Sequence, residues 1–141
     1  MNIYIRTQPH DLCKYLDDQQ ATELRKQITL QDLPAGEVIQ RRGDTVDCLI
    51  VLEEGELVLK KDDQIVGRVF AGEMVNEHHY FANCPASFTL LAEKTSRLGL
   101  VPFKAIDEFI ASDAGRCARI HAAFNDSLSL KIIRLTHREP Q

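Results

Sequence analysis

Leu33-Pro34-Ala35-Gly36-Glu37-Val38-Ile39, then Arg42-Gly43-Asp44, then Leu49-Ile50-Val51-Leu52 running into Glu54-Gly55-Glu56-Leu57, is the stretch on which the fold turns. From Gln31 onward the apolar spacing changes from about 3.6 to about 2, and turn residues recur at short intervals, continuing through Lys61-Asp62-Asp63-Gln64 and Ala71-Gly72. Short apolar segments between such turns predict an antiparallel sandwich or barrel. Strands are expected at Glu37 to Gln40, Cys48 to Glu53, Glu56 to Lys61, Ile65 to Phe70, Phe88 to Ala92 and Arg97 to Val101. The alternation of Leu57 and Leu59 against Val58 and Lys60 is loose, so it does not set a register. Asp62-Asp63 falls at a hairpin tip, where its charge is expected to be solvated.

Helical patterns flank this region. Asp11 to Leu16 reads as a short helical turn, and Asp17 or Asp18 can cap a helix reaching about Ile28, with Ala21, Leu24 and Ile28 on one face. After Pro102, which suits a first helical turn because its missing N–H has no partner there, Phe103, Ile106 and Ile110 form one apolar stripe. A last helix is expected from Ser112 or Asp113 to about His137. Ile120, Phe124, Leu128 and Leu135 share a face with Ile132 at its edge, whereas Leu130 and Ile133 point elsewhere. A helix so broadly apolar predicts cover on two sides, one of them a second copy of the chain in a homodimer. The layout is one mainly β domain with flanking helices over residues 1–141: helical to residue 30, a β-roll over 31–101 and C-terminal helices over 102–138.

The 141 residues are 44% hydrophobic and 27% charged, enough for one core. A net charge of −4 offers no basic field, so no nucleic acid is expected to bind this chain alone, and acidic partners are disfavoured. Met1-Asn2-Ile3-Tyr4-Ile5-Arg6 lacks the basic and apolar regions of a signal peptide, and no window is apolar enough for a membrane span, which predicts a cytoplasmic protein. Cys13, Cys48, Cys84 and Cys117 are scattered with no C-x-x-C pair. They are read as reduced thiols, with no metal centre or other cofactor.

The opening stretch, with its glycine spacing and the later Ala71-Gly72-Glu73 and Pro85-Ala86-Ser87-Phe88-Thr89, resembles the cyclic-nucleotide-binding domain of the catabolite-activator and protein-kinase-A regulatory-subunit type. The resemblance covers about Asp17 to Leu135. It implies a double-stranded β-helix, or jelly roll, with N-terminal helices and a long C-terminal helix. It also implies a phosphate-binding cassette of the form G-E-[LI]-A-L followed by P-R-[AS]-A-T. In that cassette a short helix aims N–H groups at the cyclic phosphate, a Glu takes the ribose hydroxyl and an Arg pairs with the phosphate. The matching positions here are Asn76, Glu77, His78, His79 and Tyr80, then Pro85, Ala86, Ser87, Phe88 and Thr89, so the expected pocket is lined by Asn76 to Tyr80 and Ala86 to Thr89.

Glu77 and the Pro85/Thr89 frame keep the pattern, but Ala86 stands at the Arg position, Asn76 at a glycine, and His78 and His79 at an apolar and a small residue. A charge-assisted bond to phosphate is worth roughly 1.5–3 kcal/mol, so losing it costs about ten- to a hundredfold in affinity. Cyclic AMP and cyclic GMP are therefore expected to bind weakly or not at all.

His78-His79 invites a metal or haem reading, yet adjacent side chains diverge on a helix or a strand, and histidines hydrogen-bonded within the protein are the plainer expectation. Glu77 with His79 has no nucleophile or second carboxylate near it in sequence, so no catalytic residues are assigned and no enzyme is expected. Lys131 is read as a surface lysine lying across an apolar face. Three functions stay open: a sensory module for another small ligand or for a nucleotide held differently, a non-binding module for dimerisation or a protein partner, and the sensor fragment of a catabolite-activator-like transcription regulator or larger signalling protein.

Overall fold

The computed structural model describes residues 11–136, with side chains from 12 to 131. After a 3-10 turn at Asp11–Cys13, helix α1 runs Asp18–Arg25. Asp17 caps it reciprocally, accepting from Gln20 N at 2.8 Å while Gln20 Oε1 accepts from Asp17 N. Ala21 and Leu24 are buried on one face as expected, and Ile28, beyond the helix end, still packs against the same core.

Among the described residues eight antiparallel strands then form two four-stranded sheets. One has the order β1 (Thr29–Leu33), β8 (Ser96–Pro102), β3 (Cys48–Glu54), β6 (Met74–Val75); the other has β2 (Val38–Gln40), β7 (Thr89–Ala92), β4 (Glu56–Lys61), β5 (Gln64–Phe70). This is the jelly-roll architecture with flanking helices. Six strands fall where the pattern puts them, within a residue or so at either end. Strands β1 and β6 were not expected, and β1 starts the sheet at Thr29, ahead of the expected boundary at residue 31. Thr29, Leu30, Gln31 and Asp32 are all exposed, so β1 carries no alternating signal and is held by its pairing with β8. Met74–Val75 is too short to show a period.

Strand β3 explains why the alternation reads loosely. Leu49 and Val51 face a core closed by the helices, with Leu24, Ile106, Ile120 and Phe124, whereas Ile50 and Leu52 face the space between the sheets, with Leu57, Leu90 and Leu98. A strand covered on both faces is continuously apolar. At the β4–β5 tip Asp62 and Asp63 take positive φ and are exposed to solvent, as expected, with Arg42 Nη1 3.3 Å from the Asp62 carboxylate.

Helix α2 is Glu77–Ala82, α3 is Phe103–Ala111 and α4 is Ala114–Thr136. Pro102 ends β8 and N-caps α3, whose Ile106 and Phe109 are buried. Asp113 Oδ1 accepts from Gly115 N at 2.8 Å at the start of α4. Ile120 and Phe124 are fully buried and Leu128 is half-buried. The expected contacts of Ile132, Ile133 and Leu135, and the expected end at His137, lie outside the described residues.

Candidate functional site

Helix α4 brings the site together by passing over the short helix α2. Residue Asn76 precedes α2 with φ 82°, the left-handed conformation that the glycine position of the resemblance leads one to expect and that Asn tolerates. Its side chain does not cap the helix. Instead its amide pairs with that of Gln40 at 3.0 and 3.3 Å and donates to Cys48 O at 2.9 Å, tying α2 to β2 and β3.

Glu77 is buried, with a side chain 2% exposed. Ser127 Oγ donates to its Oε2, and Lys131 Nζ donates to Oε1 at 2.8 Å and Oε2 at 2.9 Å and to Met74 O at 2.7 Å. The reading of Lys131 as a surface lysine is thus corrected: the apolar stem lies on the helix face, but the ammonium turns inward because a buried carboxylate and a backbone carbonyl wait there. The signal missed in the sequence was a polar pair four residues apart, Ser127 and Lys131, on the face that also carries Phe124 and Leu128.

Beside this ion pair lies a half-open cavity of about 370 Å³. Of the residues expected to line a pocket, Asn76, Glu77, His78, His79, Ser87 and Phe88 border it. So do Gln40 and Leu59 from the roll and Leu128 and Lys131 from α4, the helix face that covers the ligand in the resemblance. Tyr80, Ala86 and Thr89 do not line it. Tyr80 turns the other way, its ring edge-on to Phe103 and Phe124 and its hydroxyl donating to Asp107 at 2.6 Å. Burial, then the Asp107 hydrogen bond, pushes that phenol above its ordinary range. Ala86 is buried, exchanging backbone hydrogen bonds with Gly43 and Asp44, and Thr89 Oγ1 accepts from Arg42 N.

The two histidines diverge. His79 is buried with Nδ1 3.0 Å from Cys84 O and 3.3 Å from Cys84 Sγ, while His78 is exposed. Among the described residues no group of three His, Cys, Asp or Glu is arranged to hold a metal ion, and no helix is long and apolar enough to cross a membrane.

Residues 30–113 match the family model of the cyclic nucleotide-binding domain. The chain belongs to that family. No curated protein matches its sequence. Among solved structures it is similar to a cyclic nucleotide-binding domain from Methylobacillus flagellatus KT, with TM-score 0.80 and 16% identity over 89% of this chain and 76% of that one. The catabolite activator protein of Thermus thermophilus gives TM-score 0.73 and 14% identity over 89% and 60%. The c-di-GMP responsive global regulator CLP of Xanthomonas campestris gives 0.73 and 19% over 85% and 61%. The chain thus spans about three-fifths of these last two proteins, and the likeness shows a shared fold.

Proposed function

We propose that this chain is a cytoplasmic regulatory ligand-binding domain whose cavity does not take cyclic AMP or cyclic GMP through the usual arginine contact. The observation that carries the reading is the Glu77 carboxylate, which the resemblance assigns to a ribose hydroxyl and which here is engaged by Lys131 and Ser127 of the protein's own helix. A ribose hydroxyl would compete with charge-assisted bonds worth roughly 1.5–3 kcal/mol. The position that should supply the guanidinium is Ala86, which is buried and lies off the cavity. Four free thiols fit a reducing compartment, and a net charge of −4 disfavours nucleic acid as a partner of this chain alone. A family fold relative described as responsive to c-di-GMP illustrates that this architecture hosts more than one ligand. Titration calorimetry at pH 7.5 is expected to return dissociation constants weaker than about 10 μM for both cyclic nucleotides. A tighter value for either overturns the reading.

The same helix supports a homodimer. Its inner face is spent on Ile120, Ala123 and Phe124, while Leu130, two turns beyond Ala123 at the flank of that face, remains 44% exposed. Light scattering at high micromolar concentration is expected to give about twice the 16.0 kDa chain mass, and the monomer mass would remove the dimer from the proposal.

A further inference from the structure

We infer that the cavity beside Glu77 takes a small, uncharged, mainly apolar molecule. This deepens the function proposed above and rests on it.

The walls point that way first. Leu59 from β4, Val75 from β6, Phe88 and Leu90 around β7, and Leu128 from α4 supply apolar walls on several sides. A volume of about 370 Å³ is at the lower end of the roughly 300–1,000 Å³ that small-molecule sites occupy.

The charged lining decides the class of ligand, because Glu77 and Lys131 already pair with each other within the protein. Lys131 is held on Met74 O and on both oxygens of Glu77, so its charge is already matched by a buried carboxylate. Glu77 in turn accepts from Ser127 as well. The Gln40 and Asn76 amides bond each other and Cys48 O. His79 has Nδ1 at Cys84 O. A phosphate or carboxylate entering here finds one cation, and that cation is already neutralised by Glu77. A ligand ammonium meets a carboxylate that is already neutralised. Either charge would be buried beside apolar walls without a partner, or would have to open the Glu77–Lys131 pair. An uncharged molecule meets neither cost. The exposed side chains at the edge of the cavity, Ser87 and His78, leave room for one hydroxyl or carbonyl end to stay near water.

Leu128 and Lys131 make one wall of the cavity and belong to α4. An occupant therefore packs directly on the long helix, the element through which a dimer or a following segment would sense it.

The test uses the whole chain and N-phenyl-1-naphthylamine, an uncharged probe that fluoresces in apolar surroundings. One probe per chain is expected to bind saturably and to be displaced by 1-decanol, with decanoate and decyltrimethylammonium at least tenfold weaker as competitors. Leu59→Trp, which fills the cavity from one wall, is expected to weaken the probe at least tenfold with the melting transition retained, and Ile65→Ser, on the exposed side of β5, to leave it unchanged. Equal displacement by decanol and decanoate, or no saturable binding, would overturn the ligand class. If in that case cyclic AMP still fails to bind, the proposed function stands without it. Displacement of the probe by cyclic AMP at low micromolar concentration overturns both.

Discussion

Gly55 and Glu77 stand at two corners of the molecule, and at each a serine hydroxyl from a distant strand or helix completes the hydrogen bonding. At Gly55, Ser96 Oγ accepts from Glu56 N at 3.2 Å and donates to Lys94 O at 2.7 Å. At Glu77, Ser127 Oγ donates to the carboxylate. The resemblance ends there. The Gly55 corner is fixed by backbone shape, with φ 101° and a Cβ position only 2.7 Å from Ser96 Cα. The Glu77 corner is fixed by charge, and its cation comes from a helix 54 residues further along the chain. One corner tolerates no added atom; the other tolerates no lost partner.

Breaking the first corner should have the largest effect. Gly55→Ala imposes left-handed strain and overpacking together, roughly 1–3 kcal/mol each, for a loss of about 4 kcal/mol. Gly36→Ala is the internal control: φ is 88° but nothing lies within 4 Å of the new Cβ, so only the backbone term of about 1–2 kcal/mol remains. Urea denaturation measures both, and equal losses would mean that Ser96 does not close the corner.

Breaking the second corner comes next. Lys131→Met keeps the apolar stem but leaves the Glu77 carboxylate buried with Ser127 as its remaining side-chain donor. The expected loss is on the order of 3 kcal/mol, at the low end for an orphaned buried charge because Lys131 is itself 31% exposed. Adding Glu77→Gln should return much of it, since an amide costs far less to bury than an unpaired carboxylate. A loss under about 1 kcal/mol in the single variant would show that water reaches Glu77 and that the pair behaves as a surface one.

The contrast between the corners also marks what the sequence could tell. Turn glycines such as Gly55 and Gly36 announce themselves by residue type, and with them the order of strands and the family pattern. Strand β1 hid because its pairing with β8 leaves four of its five residues exposed. In the cavity, residues adjacent along the chain were legible, which is why Asn76, Glu77, His78, His79 and Ser87 were found. Leu59, Leu128 and Lys131 were not, because packing of sheet and helix brings them there, and periodicity says only that a face is covered. Tyr80 shows the converse error. It shares a six-residue helix with Glu77, yet the helix turn carries it into the aromatic contact with Phe103 and Phe124.

The smallest effect is expected at the other end of α4, where Arg116 forks onto Glu23 of α1 at 2.7 and 2.9 Å and its guanidinium lies 4.5 Å from the Phe109 ring centroid. This pair lies near the surface, with Glu23 46% exposed, so screening should erase most of what burial preserves at Glu77. The Arg116 hydrogen bond holds the Glu23 carboxyl below its ordinary pKa. A depressed carboxylate pKa stabilises the fold above the unfolded value of about 4.3 and ceases to do so as pH falls through the lower folded value. Glu23→Gln should therefore lower the melting temperature slightly at pH 7, and the gap to the unaltered protein should close as the pH is taken from about 4.3 downward. The gap at pH 7 should also shrink in 1 M salt, because added ions weaken a pair whose carboxylate is open to solvent, whereas the Lys131→Met gap should persist. A Glu23→Gln gap that survives both acid and salt would mean that α1 is held to α4 by the packing around Arg116 and Phe109 rather than by charge.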